Sequence, residues 1–278
     1  MLKIDYYLFK IDFIAHSHDM EGPVLISEPY IYGYGRCLAP HNWSLTNMHV
    51  CNRVYVIYGG SGWYLDGGEQ RRFLPGNAYI LPIKAGVNVW QLPSDPLDHM
   101  FFDFLLTPPF NSSRIAHIDL SPGSDSEYVA ELRSIADSLE LLISSHGDVP
   151  SDVVRPLFTG FLQLLCLATG LRLSSDPRIE YALERIHRTN SDGSLDLTNN
   201  EELAAMLHID VNHFIRIFQR EVGVTPYKYI LSHRLNMAST YISNGLSMTD
   251  ASRMVGYESV SALSHALRRR ERSLPAAY

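Results

Sequence analysis

The sequence predicts a two-domain α+β protein. The N-terminal part is predicted as a β-barrel or sandwich followed by two helices. This prediction rests on strand-like runs between glycine and proline turns in residues 4–110, and on apolar residues at helical spacing in 125–169. Residues 177–278 carry helical patterns throughout. A chain of 278 residues is long enough for two domains that each bury a core.

The predicted strands lie in a region rich in aromatic and β-branched residues, which favour extended structure. Glycine or proline turns separate the runs at short spacing, as is typical of an all-β sandwich or barrel. The clearest runs are Val54–Tyr58, Gly62–Leu65, Ala78–Pro82 and Met100–Leu106.

Two amphipathic helices are predicted after the strands, at 125–145 and 151–169. Their apolar faces must be buried either on the barrel or on a second copy of the chain. We expect a homodimer through these helices, with simple closure of the barrel as the alternative. Residues 171–176 are predicted as a short polar linker, because Asp176 and Pro177 provide an N-cap and a first-turn proline for the next helix.

The C-terminal part is predicted to begin with a helix over Pro177–Thr189, followed by a turn-rich loop over Asn190–Leu197 and then by a helix-turn-helix unit. A capping signal at Thr198 precedes a helix over Glu201–Leu207. After a short break, Asp210 is placed to cap a second helix, and Gly223 is placed to end it. The pattern therefore predicts helix, tight turn, helix and stop.

A second copy of this pattern follows about 45 residues later, in Met248–Tyr257 and Val260–Arg270. A long helix, Pro226–Ser243, joins the two units. Because a stiff connector fixes the distance between recognition helices, both can enter successive major-groove segments about one helical turn apart.

Both units resemble the DNA-binding domain of the AraC/XylS family of transcription regulators. The resemblance covers residues 177–278 and rests on Phe218, Gly223, Thr225, Pro226, Arg234, Ala238, Gly256, Tyr257 and Ser259. The order of glycine turn, strand, Leu-Pro-Gly-Asn, strand and proline in 45–107 is similar to the cupin-like sensor domain of that family. The resemblance implies a ligand-sensing and dimerisation domain at 1–170, a DNA-binding domain after the linker, and double-stranded DNA and RNA polymerase as partners.

The resemblance and the helical spacing together divide the predicted DNA contacts into two classes. Core-facing positions are predicted at Phe214, Ile217, Phe218, Leu263, Ala266 and Leu267. The opposite faces supply base contacts from Asn212, Ile215, Arg216, Val260, Ser261, Ser264 and His265. Phosphate contacts, which hold register without reading sequence, are predicted for Gln219, Arg220, Arg268 and Arg269. The alternative is that these are ordinary solvated helix faces.

Charge is divided unevenly along the chain, whose net charge is −7. Residues 1–176 contain 11 Lys and Arg against 19 Asp and Glu, whereas residues 177–278 contain 12 against 11. The N-terminal part is therefore excluded as a nucleic-acid surface. Phosphate contacts in the C-terminal part must come from local clusters of arginine, such as Arg268, Arg269, Arg270 and Arg272.

The cysteines and the N-terminus indicate a cytoplasmic protein. The three cysteines are far apart and lack metal-ligand spacing, so neither a disulfide framework nor a thiolate zinc site is predicted. The N-terminus has no signal-peptide pattern. The most apolar run, Leu157–Leu171, is short for a membrane span and contains polar breaks, so no membrane partner is expected.

A small-molecule effector is expected in the predicted barrel, with a carbohydrate as one candidate. Small barrels bind ligands at the mouth through a few polar and aromatic groups. The resemblance implies that His99 and Phe101 supply an imidazole and an aromatic ring to the ligand, and Thr46 and Trp90 align approximately with further contacts. The alternative is that Trp90, His99 and Phe101 are ordinary core residues.

A metal-dependent enzyme of the cupin class, with isomerase or oxygenase chemistry, is the alternative function. Cupins commonly bind a metal through clustered histidines and a glutamate, but the segment 83–88 after Pro82 contains no histidine. His16 and His18, with Glu21 nearby, lie upstream of the predicted strands. We therefore expect no metal, no cofactor and no catalytic residues.

Overall fold

A computed structural model of the chain describes residues 28–40, 43–46, 50–86, 88–146, 149–174 and 176–272. These residues form two antiparallel sheets followed by helices, which confirms the two-domain α+β prediction. We call the part containing both sheets and the first two helices the sheet domain. The part containing the later helices is the helical domain.

The sheet domain contains nine strands among the described residues. One sheet has five strands in the order β1-β8-β3-β6-β9, and the other has four in the order β2-β7-β4-β5. The strands are β1 (Tyr30–Leu38), β2 (Ser44–Thr46), β3 (Asn52–Gly59), β4 (Gly62–Asp66), β5 (Glu69–Arg72), β6 (Asn77–Leu81), β7 (Asn88–Gln91), β8 (Asp98–Leu105) and β9 (Ala116–Asp119).

Strand β3 shows how the layers are arranged, because both of its faces are buried. Tyr55 and Ile57 point into an aromatic core shared with the four-stranded sheet. Val54 and Val56 point the other way, into a core shared with two helices. This alternation follows from the two-residue period of a strand, and it makes the five-stranded sheet the middle layer of three.

Helices α1 (Val129–His146) and α2 (Ser151–Thr169) cover the outer face of the five-stranded sheet. The ring of Phe158 stacks on that of Phe102 in β8, with centroids 4.1 Å apart. The inner apolar faces of these helices are thus buried on the sheet domain itself. Helix α2 also has the length and composition of a helix that could cross a membrane, since it begins six residues before the apolar run recognised in the sequence. Its inner face nevertheless packs in the core.

The helical domain contains six helices among the described residues. They are α3 (Pro177–His187), α4 (Asn200–Met206), α5 (Val211–Val222), α6 (Pro226–Ser243), α7 (Met248–Met254) and α8 (Val260–Arg272). Helices α4 and α5 form a first pair and α7 and α8 a second pair, and the long helix α6 joins them. The start and end predicted for α6 are confirmed.

The ends of α5 follow from local sequence. The carboxylate of Asp210 accepts hydrogen bonds from the amides of Asn212 and His213, and Gly223 ends the helix at a φ of 92°. Both predictions are confirmed. For α4 the predicted cap was displaced by one residue, because the side chain that accepts from the amide of Glu202 belongs to Asn199.

The helical domain packs directly on the sheet domain. Val50 and Leu105 of the sheet domain belong to the same apolar cluster as the cores of α3, α4 and α5. At the C-terminal end of α5, Gly223 lies against Lys84 in a short 3-10 turn, Ile83–Ala85, where a Cβ would come within 2.5 Å of the Lys84 Cα. Only glycine fits at position 223, for reasons of φ and of space.

The linker segment 171–176 is attached to the sheet domain. The amide of Asn111 donates to the carbonyl of Arg172 at 2.8 Å, and the amide of Ser174 donates to the carbonyl of Pro109 at 2.7 Å. The Ser174 hydroxyl donates to Glu221 of α5 at 3.0 Å. The segment therefore contacts both domains.

Candidate nucleic-acid interface and sensor interior

Helix α5 separates a buried face from an exposed polar face. Its buried face consists of Phe214, Ile217, Phe218 and Val222. The predicted base contacts Asn212 and Arg216 are exposed and Ile215 is partly exposed; the predicted phosphate contacts Gln219 and Arg220 are exposed. Arg220 also contacts Glu221, with Nε 2.7 Å from the carboxylate, so its guanidinium is partly committed within the protein. The face is thus available to a partner over at least one full turn.

Helix α8 repeats this division. Leu263 and Leu267 are buried and Ala266 packs beside them, as predicted. Val260, Ser261, His265, Arg268 and Arg269 are exposed, and Ser264 is partly exposed. The side chains of Arg270 and Arg272, and all of 273–278, lie outside the described residues. Two pairs of helices therefore present similar polar faces, one from each end of α6.

The relative placement of the second pair depends on Arg234 of α6. Its Nε donates to the carbonyl of Val255 at 2.7 Å, and its Nη2 donates to the carbonyl of Gly256. Both carbonyls lie at the C-terminal end of α7, where a cation is favoured. Arg234 thus connects α6 to the turn between α7 and α8.

His99 lies in the aromatic core between the two sheets. Its ring is 4.9 Å from that of Tyr55, 5.6 Å from that of Trp43 and 6.2 Å from that of Phe101, between centroids. Burial lowers the pKa of His99 to about 4, so its imidazole is neutral near neutral pH. The structure therefore brings His99 and Phe101 together in an apolar setting.

The other two predicted ligand residues are placed differently. Trp90 lies on the outer face of the four-stranded sheet, because its neighbours Val89 and Gln91 are buried and strand side chains alternate. The structure does not bring Trp90 together with His99. Thr46 is the last residue of β2, paired with Asn88, and its side chain lies outside the described residues.

A buried ion pair in this core has no signal in the sequence pattern. Arg53 in β3 is buried, and its Nε lies 2.8 Å from the carboxylate of Asp103 in β8, which stays partly exposed. In the sequence, Arg53 stands in an apolar strand where the strand period alone would predict an apolar residue. Arg53 and Asp103 lie side by side because β3 and β8 are paired in register.

Among the described residues, no group of three or more His, Cys, Asp or Glu is arranged to hold a metal ion. His16, His18 and Glu21 lie outside them. The described cysteines Cys37, Cys51 and Cys166 form no disulfide bond.

A polar cluster between the two domains was missed by sequence reasoning. The Tyr32 hydroxyl lies 2.8 Å from Nδ1 of His233 in α6, and Thr107 Oγ1 lies 3.3 Å from Nδ1 of His187 in α3. Nε2 of His187 lies 2.9 Å from the Tyr229 hydroxyl. These partners are far apart along the chain, so no local motif indicates them.

Known proteins resemble this chain in the sequence of its C-terminal part and in its overall fold. Residues 203–278 match the model of a helix-turn-helix domain family of the AraC type. No curated protein sequence matches the chain.

Similar solved structures share the fold over nearly the whole chain. ToxT from Vibrio cholerae has a TM-score of 0.54 at 10% identity, covering 90% of this chain and 97% of that one. ToxT bound to an unsaturated fatty acid has a TM-score of 0.54 at 12% identity, with 90% and 94% covered. ToxT bound to (E)-4-(8-methylnaphthalen-1-yl)but-3-enoic acid has a TM-score of 0.55 at 11% identity, with 87% and 94% covered.

The family match lies on α4 to α8, the helices that present the two polar faces. The similar solved structures share the fold of both the sheets and the helices. Neither finding supports the metal-dependent enzyme alternative. The chain is therefore a DNA-binding transcription regulator whose C-terminal part contains a helix-turn-helix domain of the AraC type.

Proposed function

We propose that the chain reads DNA with α5 and α8, each the second helix of a helix-turn-helix unit. The observation that carries this proposal is the pair of exposed polar faces opposite buried apolar faces, at the two ends of one rigid helix. Residues 177–278 form the DNA-binding domain in this proposal. Residues 1–170 form a cupin-like sensing and dimerisation domain, and 171–176 link the two.

Base reading is assigned to the faces of the two helices that point away from the protein. Arg216 is suited to guanine and Asn212 to adenine, while Ile215 and Val260 can contact a thymine methyl. Ser261, Ser264 and His265 supply further donors and acceptors on α8. Gln219, Arg220, Arg268 and Arg269 are assigned to phosphates, because they are long, exposed polar side chains beside the reading faces.

A selection of binding sites from random DNA tests the assignment. The recovered motif should contain two elements about 10 base pairs apart, one for each helix pair. Arg216→Ala should lose selectivity within one element, and Ser261→Ala within the other. Recovery of a single short element, or of no motif, would contradict the use of both helices.

The effector is proposed to be a small molecule held by the sheet domain. Two ligand classes are candidates. A sugar is suggested by the placement of His99 and Phe101 in one aromatic core, and an apolar carboxylic acid is suggested by the ligands named for ToxT. A thermal-shift screen of the full chain against both classes separates them, and His99→Gln should reduce the shift given by a ligand that contacts His99.

A homodimer through α2 is proposed on the basis of its outer face. Val153, Leu157, Gly160, Leu164 and Leu167 recur at spacings of four and three residues, the period of a helix-helix seam. Val153 is 51% exposed, and Leu157 and Leu167 are each 38% exposed. Apart from Leu164, which packs against the core, this stripe lies outside the core that buries the other face of α2.

The stripe also fits a two-fold contact. Gly160 lies at its centre, and a Cβ there would meet no heavy atom of the described neighbours within 4 Å. Two antiparallel copies crossing at Gly160 would place Val153 of one copy opposite Leu167 of the other, as an isologous interface requires. Sedimentation at micromolar concentrations should show a dimer that Leu157→Arg dissociates. Leu92→Arg, on an exposed turn of the four-stranded sheet, should leave it intact.

The remaining partners are proposed from the resemblance of the C-terminal part to AraC-type regulators. A regulator of this class acts in the cytoplasm together with RNA polymerase. An in vitro transcription assay with the selected DNA motif would show whether the chain activates or represses, and a template without the motif is the control.

A further inference from the structure

The contact between the two domains is built around two histidines, His187 of α3 and His233 of α6, which we call the interdomain histidine pair. Their ring centroids lie 4.9 Å apart. His233 is 3% exposed, and His187 is mostly enclosed by the same contact. Both belong to the helical domain, and both are bonded to residues of the sheet domain.

The sheet domain meets this pair with a distorted edge strand. The pairing of β1 with β8 shifts between Ile31 and Gly33, so Tyr32 is an extra residue in the ladder. Such a bulge redirects a side chain, and here the Tyr32 hydroxyl reaches Nδ1 of His233 at 2.8 Å. The neighbouring Tyr30 donates its hydroxyl to the sulfur of Met237 in α6.

The hydrogen-bond partners of the pair are neutral hydroxyl groups. The Tyr32 hydroxyl donates to Nδ1 when the His233 ring is neutral with its proton on Nε2. Protonation of His233 would place a proton on Nδ1 as well, so the Tyr32 hydroxyl would have to turn from donor to acceptor. His187 has one neutral partner on each nitrogen, Thr107 and Tyr229.

Among the described residues around the pair, no carboxylate is free to form an ion pair with a protonated imidazole. Tyr30 and Tyr32 face it from β1, Cys51 lies near Tyr32 and Tyr229, and burial raises the pKa of both of these tyrosines. Asp196 and Arg234 line a cleft of about 10 Å³ with His233. Asp196 is paired with Arg185 at 3.1 Å, and Arg234 is bonded to carbonyls.

Protonation of the pair is therefore opposed as long as the domains are docked. Burial lowers the pKa of His187 to about 4. Burial, and then the neighbouring His187, place the pKa of His233 well below its usual range. Separation of the domains removes Tyr32 and Thr107 from the pair and exposes the imidazoles to water, where a histidine has a pKa of about 6.5.

We propose that the interdomain histidine pair makes the docking of the helical domain on the sheet domain sensitive to pH, so that mild acid releases it. The direction follows from linkage, because the separated state binds more protons than the docked state. Between pH 7.5 and 5.5, one histidine with these two pKa values shifts the docking equilibrium by about tenfold. The second histidine adds less, because it takes up its proton beside a positive charge.

Single-molecule energy transfer on the full chain without DNA tests the proposal at nanomolar concentration. Dyes on Ser126→Cys and Ser243→Cys, both exposed, report the distance between the domains, with Cys37→Ser preventing labelling of the half-buried native thiol. The ratio of separated to docked molecules should rise about tenfold from pH 7.5 to 5.5. Circular dichroism should show the same helix content at both pH values.

Matched variants distinguish the pair from general acid effects. His187→Gln with His233→Gln should reduce the change to less than about twofold, whereas His117→Gln, at an exposed histidine of β9, should keep the full change. If the double variant does not fold, each single variant should give a smaller change than the parent. An unchanged ratio in the parent, an equal response in the histidine variants, or loss of helix content in step with separation would overturn the proposal.

Discussion

The guanidinium of Arg234 lies over the ring of Tyr257, 4.6 Å from its centroid, while it donates to the carbonyls of Val255 and Gly256. One side chain of α6 thus holds the turn that begins α8. Because α6 also packs on α5 at its other end, Arg234 fixes the geometry between the two proposed reading helices. Through this contact, a residue of α6 sets the distance between the two reading helices and therefore the spacing of the two elements in a DNA motif.

Replacing Arg234 with methionine should loosen α8 without unfolding α5. Methionine keeps much of the side-chain volume but loses two charge-assisted hydrogen bonds and the contact with the Tyr257 ring, so the local stability should fall by about 2–4 kcal/mol. Hydrogen exchange resolved by peptide would show faster exchange in α7 and α8. Arg253→Met, which removes an exposed pair with Asp250, is the matched control and should change little. Equal effects of both variants would contradict the positioning role.

Replacing each of the two arginines on the proposed reading faces should change DNA binding in a different way. Arg216→Ala should weaken binding to the selected motif by about 1–3 kcal/mol and relax one base position. Arg268→Ala should weaken binding to all sequences and reduce the salt slope by about one. Titrations on motif and random DNA at several salt concentrations measure both. If Arg216→Ala lost equal affinity for the motif and for random DNA, Arg216 would not be reading a base.

How far the sequence predicts this structure depends on how local each signal is. Helix α5 was predicted well, since Asp210 and Gly223 cap it through neighbouring backbone groups and the apolar spacing lies within twelve residues. Strand β5 could not be recognised from Glu69–Arg72, because all four side chains are exposed and no apolar alternation remains. A strand of this kind is defined by its partner β4, not by its own composition.

The same reasoning applies to the sites. The Trp90 side chain points outward because of the residue at which β7 begins. A shift of one residue in the strand would have pointed it to the opposite face of the sheet. The contact of Tyr32 with His233 joins residues 201 positions apart, and only the docking of the two domains brings them together. The exposed faces of α5 and α8 were accessible to sequence reasoning because helical periodicity alone separates them from the core.

Acid should destabilise the sheet domain through His99. Its pKa is about 4 in the folded chain and about 6.5 when unfolded. A lowered folded pKa means that its contribution is complete above pH 6.5 and is lost as the pH falls toward 4. The free energy of unfolding should therefore fall by about 2 kcal/mol between pH 7.5 and 5.0 on account of this residue.

Urea denaturation followed through the tryptophans of the sheet domain measures this loss at both pH values. His99→Gln should show a smaller pH dependence by that amount, because glutamine does not titrate. His117→Gln, at an exposed site, should follow the parent chain. Identical pH dependences of the parent and His99→Gln would show that His99 is not the titrating group.

Lengthening the linker should separate ligand binding from DNA binding. An extended segment of about six residues spans at most roughly 20 Å, and here it is also bonded to Asn111 and Pro109 of the sheet domain and to Glu221 of α5. A ligand can change DNA affinity only by favouring one arrangement of the two domains over another. Ten Gly/Ser residues inserted within 171–176 lower the effective concentration of one domain at the other, so docking no longer limits orientation.

The effector found in the thermal-shift screen should then bind the lengthened chain with unchanged affinity but no longer alter its affinity for the selected DNA motif. The same ten residues inserted after Asp192, in the exposed turn between α3 and α4, serve as the control and should leave the coupling intact. Binding of ligand and of DNA, each measured with and without the other, gives the coupling free energy directly. A full ligand effect in the lengthened chain would show that communication between the domains does not pass through this short tether.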